Sequence, residues 1–271
     1  MQGTSNTPQM YRPIQTFLVD ALSVRVYNQE VEMAEDVAYT TQEYLQYLIT
    51  KQGKATVILA TGNSQVKFLE ALIALGGVDW SKVTLFHLDE YLGISADHPA
   101  SFRHYLKQKV EHFVRLRKFH YIEGDTIEPL EECDRYSQLL SAQPIDLVFL
   151  GVGENGHLAF NDPSVANFND LRIVKLVKLD LLSRQQQVNQ GYFHDLDLVP
   201  KYAFTLTIPA ICSAQKILCL APEKRKAEIV RDMLHEPVST LCPASILRQQ
   251  SQATLFLDAN SASLISQEIR N

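Results

Sequence analysis

The chain has 271 residues, 46% of them hydrophobic and 21% charged, with a formal net charge of −6. That length and balance describe a globular protein of one large or two small domains, able to bury a sizeable core. The acidic excess speaks against nucleic acid, whose phosphates are met by clustered Lys and Arg. It leaves room for a small anion, which needs only a few local cations and backbone N–H groups.

The opening MQGTSNTPQM is polar and lacks an apolar h-region, so no signal peptide is expected. No apolar run reaches the ~18 residues of a membrane-spanning helix, so no membrane partner is expected. Cys133, Cys212, Cys219 and Cys242 show no C-x-x-C spacing and read as free buried thiols of a reducing compartment. Together these features point to a cytoplasmic protein.

Residues 1–16 read as a loose N-terminal arm and 17–271 as a single α/β domain. From about residue 29 to 52, Val31, Ala34, Val37, Tyr44, Leu45 and Leu48 recur at helical spacing. ATVILA (55–60) is a strand-like apolar run, followed by a helical period in SQVKFLEALIAL, with Ser64 as its N-cap. The rhythm repeats: VTLFHL (83–88) before SFRHYLKQKVEHF, IDLVFL (145–150), KILCLA (216–221) before EKRKAEIVRDML, and ATLFLD (253–258) before a closing helix. Short, continuous apolar strands alternating with helices predict a mostly parallel sheet with helices on both faces, a Rossmann-like three-layer domain.

In such sheets ligands bind beyond the carboxyl ends of the strands. Four polar clusters fall there: TGNS (61–64), DEY (89–91), ENGH (154–157) and EKRK (223–226). In TGNS, Gly62 allows a sharp turn, and the amides of Asn63 and Ser64 either meet an anion at a helix N-terminus or serve a plain cap. Asp89 and Glu90 are either an acid/base group with a supporting neighbour, or a cap beside a solvated carboxylate. In ENGHLAFND the glycine before His157 keeps the backbone slim beside the ring, and Asp162 can fold back to orient one ring nitrogen. An imidazole so held suits proton transfer near neutral pH. The other histidines give no convincing metal-ligand spacing, so no metal is expected, and no G-x-S-x-G elbow supports nucleophilic hydrolysis.

Taken together, LATGNS, FHLDEYLG, HPASF, GVGENGHLAFNDP, VPKYAFTLTI and CPASIL resemble the glucosamine-6-phosphate deaminase family, in its order, from about residue 55 to 250. The sister 6-phosphogluconolactonases share the GH of this loop but usually continue toward Ser-Leu-Phe rather than AFN-x-P. The resemblance implies a deaminase-like hydrolase/isomerase that turns glucosamine 6-phosphate and water into fructose 6-phosphate and ammonia. No metal or organic cofactor would be needed, and the partner would be a small-molecule sugar phosphate; a homo-oligomer stays open. Asp89 matches the base that moves a proton between C2 and C1, and His157 the group that opens the sugar ring. Asn155 and Asp162 match the supports of that histidine. Thr61, Gly62, Asn63 and Ser64 match the phosphate loop, and Lys226 a phosphate-binding lysine.

The chain departs from the family pattern in three places. Asn155 stands where some relatives have aspartate, and Asp162 where glutamate is common. The family's second phosphate ligand, an arginine just before a Tyr/Phe-Phe pair, is missing from SRQQQVNQGYF. Arg184 is the nearby cation and is expected to take over its task. The competing readings are a sugar-phosphate lactonase, which has no use for a proton carrier at Asp89, and a non-catalytic sugar-phosphate binder.

Overall fold

Residues 12–189 and 191–270 are described in a computed structural model of the chain. The expected arm over 1–16 lies mostly outside the described residues; Gln15 and Thr16 are already the start of a strand. The first part runs β1 (Gln15–Val19), β2 (Leu22–Tyr27), α1 (Glu30–Gln52), β3 (Ala55–Leu59), α2 (Asn63–Leu75), β4 (Val83–His87) and β5 (Asp89–Tyr91). Then come α3 (Phe102–Leu106), β6 (Lys118–Phe119), α4 (Pro129–Ser141), β7 (Leu147–Gly151), β8 (Val174–Lys178) and α5 (Leu181–Asn189). The last part is β9 (Tyr202–Leu206), α6 (Ile208–Cys212), β10 (Ile217–Leu220), α7 (Ala227–His235), β11 (Ala253–Asp258) and α8 (Gln267–Arg270).

Eight strands form one sheet in the order β1-β2-β11-β10-β7-β3-β4-β6. Every pairing in it is parallel except the β1–β2 hairpin at one edge. The central strands are buried residue by residue, β3 and β4 from end to end, because helices cover both faces and every side chain meets apolar neighbours. β1 alternates buried and exposed positions, as an edge strand with one wet face must.

Helix α1 buries Met33, Ala34, Val37, Ala38, Leu45 and Leu48 against the sheet, whereas Val31 lies on the solvent side at 44% exposure. Gln29 and Glu32 close a capping box at its start, and Gly53 ends it in the left-handed region (φ 76°). The helix read over SFRHYLKQKVEHF is shorter than its pattern: α3 passes into a π-helical turn at Lys107–Glu111. The closing helix is the short α8.

A second sheet, absent from the sequence reading, holds β5, β9 and β8 in antiparallel order. It covers a smaller apolar cluster that includes Tyr91, Phe160, Val177, Phe193 and Ala203. Only Leu88 separates β4 of the large sheet from β5 of the small one. Its N–H donates to the Leu59 carbonyl of β3 (3.3 Å), and its own carbonyl accepts from Leu206 N–H of β9 (2.8 Å). Chain order runs outward from β3 in both directions, through β4 to β6 and through β7 to β10 and β11. The reversal at β3 and β7 is where an open α/β sheet presents its crevice.

Candidate active site

A cleft opens at that reversal, walled by the segments that follow β3, β4, β7 and β10. Thr61, Gly62, Asn63, Ser64, Asp89, His157 and Lys226 all line it. Asn155 and Asp162 stand behind His157. Arg184 is not brought to the cleft.

Gly62, at φ 96°, turns the chain from β3 into α2 and occupies the N-cap position. Only glycine takes that backbone readily. The cap is therefore not Ser64, which is already helical. The first N–H groups of α2 have no intrahelical acceptor and carry the positive end of the helix dipole. Buried Gln65 donates to Ser64 Oγ (2.9 Å) and to the Leu150 carbonyl (3.3 Å), so the Ser64 hydroxyl proton is free to donate elsewhere. Tyr192 donates to Asn63 Oδ1 (3.1 Å) across the cleft mouth, and Tyr105 donates to the Gly62 carbonyl (3.2 Å).

Asp89 and Glu90 begin β5 but have opposite environments. Glu90 is fully buried rather than solvated. One of its oxygens accepts from Tyr91 N–H and Phe102 N–H, the other from the Ser101 hydroxyl and Arg103 N–H, at 2.7–3.1 Å. It clamps the start of α3, and Arg103 runs beside it. Asp89 is also buried, yet no donor among the described residues reaches its carboxylate. Burial, then the neighbouring Glu90 charge, pushes its pKa well above the ordinary carboxylate range. Such a group takes up a proton readily. The His87 ring is buried between the Ile122 N–H, which donates to Nε2 (2.9 Å), and the Asp89 carbonyl. Nε2 is thus an acceptor, so Nδ1 carries the proton and donates to Asp89 (2.9 Å). Desolvation keeps this ring neutral, with its pKa lowered to about 3.

His157 follows β7 in the loop over residues 151–157. Asn155 Nδ2 donates to Asp162 Oδ1 (3.0 Å), which turns the amide oxygen toward His157. That oxygen accepts the His157 backbone N–H (3.1 Å) and lies 2.7 Å from Nδ1, with Asp162 Oδ1 3.0 Å from the same nitrogen. With acceptors on that side, Nδ1 holds the proton and Nε2 offers its lone pair. Burial would raise the Asp162 pKa, but the bonds from His157, Asn155 and Ser183 outweigh it and hold the carboxyl below its usual range. Ser183, which sequence reasoning missed, donates to Asp162 Oδ1 (2.6 Å) from α5.

The glycine that makes room for the ring is Gly153, not the Gly156 of the sequence reading. A Cβ at Gly153 would sit 2.2–2.4 Å from His157 ring atoms. Gly156 is needed for its φ of 82° and its closeness to Cys242. Asn161 ties the end of this loop to the small sheet by donating to the carbonyls of Leu158 (3.0 Å) and Leu206 (2.8 Å). β9 thus touches both the His157 loop and β5, which carries Asp89.

Arg184 is buried, and its guanidinium donates to the carbonyls of Leu196 and Val199 (the latter at 3.0 Å). Adjacent residues of a helix point about 100° apart. Ser183 therefore faces Asp162 while Arg184 faces the turn before β9. The basic side chains of the cleft, among the described residues, are Lys226 and Arg225 from the turn after β10. Burial, then the Arg225 charge, lowers the Lys226 pKa to about 8. Among the described residues, no group of three or more His, Cys, Asp or Glu is placed to hold a metal ion. No helix among them is long and apolar enough to cross a membrane. The four cysteines are unpaired.

Fold and cleft define an open α/β protein whose cleft gathers an oriented imidazole, a buried carboxylate, a helix N-terminus and two cations. The family model for glucosamine-6-phosphate isomerases/6-phosphogluconolactonase matches residues 28–256, and the chain belongs to that family. A glucosamine-6-phosphate deaminase of Exiguobacterium sibiricum is 37% identical over 241 residues, 89% of this chain and 93% of that one. One from Listeria monocytogenes is 33% identical over 223 residues, 82% of this chain and 93% of its own. A solved monomeric glucosamine-6-phosphate deaminase superposes with a TM-score of 0.82 at 32% identity, covering 89% of this chain and 99% of that one. The Thermotoga maritima 6-phosphogluconolactonase shares the fold, with a TM-score of 0.71 at 20% identity, over 87% of this chain and 98% of its own.

Proposed function

We propose that this protein converts glucosamine 6-phosphate and water into fructose 6-phosphate and ammonia. The reaction is an isomerising deamination rather than a plain hydrolysis. His157, through Nε2, moves a proton between the anomeric hydroxyl and the ring oxygen and opens the pyranose. Asp89 takes the C2 proton of the open-chain aldehyde and returns it at C1. The C2 amine becomes an imine in this step, the N–H proton it loses matching the one the C1 oxygen gains; water adds to the imine and ammonia leaves. Ser64, the first amides of α2 and Lys226 hold the phosphate.

The observation that carries this reading is the buried Asp89 carboxylate, which no donor among the described residues reaches, in the same cleft as an imidazole whose Nε2 has no partner among those residues. Hydrolysis of a lactone needs an activated water but no such carrier. Relatives at 33–37% identity that bear the deaminase name favour the same reaction.

Incubation of the purified protein with glucosamine 6-phosphate should release ammonia and fructose 6-phosphate in equal amounts. Hydrolysis of 6-phosphogluconolactone without ammonia release from the amino sugar would overturn the assignment in favour of the sister activity.

A further inference from the structure

With Arg184 committed to the turn before β9, the second cation that a dianion calls for beside Lys226 must come from elsewhere in the cleft wall. Arg225 is the only other basic side chain of the cleft wall among the described residues. Its guanidinium is held by two carboxylates. Nε lies 2.7 Å from Glu223 Oε2 and Nη1 3.0 Å from Glu154 Oε1. Both partners are well exposed, at 38% and 49%, so these pairs are weak and exchangeable. Lys226, next in sequence, is buried; its ammonium has no hydrogen-bond partner among the described residues and lies close enough to feel the Arg225 charge.

The turn that presents both cations is built for this placement. Glu223 adopts φ 80°, an unfavourable backbone for a non-glycine residue. Its N–H is anchored to Asp258 Oδ1 at the end of β11 (3.2 Å). The two adjacent cations are offset in the free protein by Glu223 and Glu154, carboxylates whose place a bound dianion can take. Glu154 belongs to the loop of His157, three residues before it, so the same arginine joins the phosphate end to the catalytic loop.

We propose that Arg225 is the second phosphate-binding cation, with Glu154 as the group it exchanges for a phosphate oxygen when substrate enters. This rests on the reading of the cleft as a sugar-phosphate site. It makes Arg225 the residue that separates phosphorylated from unphosphorylated amino sugars. The alternative is that Arg225 only props the catalytic loop through Glu154.

Two variants separate these roles. Arg225→Ala should raise the KM for glucosamine 6-phosphate about tenfold or more, the scale of one charge-assisted hydrogen bond. It should weaken inorganic phosphate, measured by calorimetry, by a similar factor, and Arg225→Lys should recover part of the loss. Glu154→Gln, which removes the competing carboxylate, should tighten inorganic phosphate about two- to fivefold. If Arg225 is only a prop, both variants lower kcat together and neither changes phosphate affinity. That outcome overturns the proposal, as does an unchanged KM with no measurable phosphate binding in the wild type. Arg225→Gln gives a second reading should the alanine variant melt early. Failure of the functional assignment looks different: no ammonia from the wild type, with phosphate affinity still dependent on Arg225.

Discussion

Replacing Gly153 with alanine is a one-carbon test of the imidazole's position. The added Cβ would lie 2.2–2.4 Å from the Cε1, Nε2 and Cδ2 atoms of His157. Non-bonded carbon contacts settle near 3.5–4.0 Å, so the ring must retreat by more than about 1 Å. Retreat moves Nδ1 off Asn155 and Asp162, 2.7 and 3.0 Å away, and displaces Nε2 in the cleft. A misplacement of about 1 Å costs on the order of 10²-fold in rate, and general acid–base catalysis as a whole supplies about 10²–10⁴. We expect kcat for glucosamine 6-phosphate to fall about 10²–10³-fold, with KM changed far less, because the phosphate end is untouched. Gly153 is not among the positive-φ glycines, so alanine brings no backbone strain there. Ammonia release would be followed alongside the melting temperature. A folded variant retaining kcat within about tenfold of wild type would refute the role given to His157.

Asp89→Asn should cost about 10²–10⁴ in kcat yet raise the melting temperature at neutral pH. The folded pKa of Asp89 lies above its unfolded value, so the stability it contributes is present at low pH and is lost as pH rises through the folded pKa. The gain from asparagine should therefore shrink toward acid pH; an equal or lower melting temperature at pH 7 would count against the buried, unpartnered carboxylate. Lys226 loses its charge near pH 8 in the free protein, so the KM for the sugar phosphate should climb above that pH by up to about tenfold per unit. A wild-type KM flat across that range would remove Lys226 from the phosphate end. Arg184→Ala should destabilise the protein by about 2–4 kcal/mol through the loss of two buried bonds to carbonyls, with KM nearly unchanged. A tenfold rise in KM without loss of stability would return Arg184 to the site.

The central strands were legible because burial on both faces forces continuous apolar runs, as in ATVIL and LVFLG. The small sheet was not legible. β5 is three residues long, two of them acidic, and its identity as a strand comes only from pairing with β9 more than a hundred residues later. Clusters at strand ends could be gathered by the parallel-sheet rule, so TGNS, DEY, ENGH and EKRK were legible as neighbours. What each side chain does within a cluster was less so. Glu90 reads like a surface carboxylate because its partners, the amides of Phe102 and Arg103, lie beyond a loop of some ten residues. Arg184 and Ser183 exchange importance for a similar reason, since helical phase decides which one faces the histidine. Spacing along the chain does not carry that phase for a helix flanked by irregular segments.

Leu88 donates its amide to one sheet and lends its carbonyl to the other, and Asp89 follows it directly. The Gly62 turn and the Lys226 turn grow from the large sheet alone. The cleft is therefore lined from both sheets, which meet at Leu88 and share one core through Val174, Phe204 and Leu206. On the proposed function, the phosphate rests at the turns of the large sheet and the C2 carbon lies at the edge of the small one. Thr205 of β9 pairs directly with Asp89, so changes in the packing beneath β8 and β9 bear on the height of that carboxylate without touching the Gly62 or Lys226 turns. Selection among sugars of different length or ring geometry can thus act on the back of the small sheet, through substitutions that change the identity of no cleft residue.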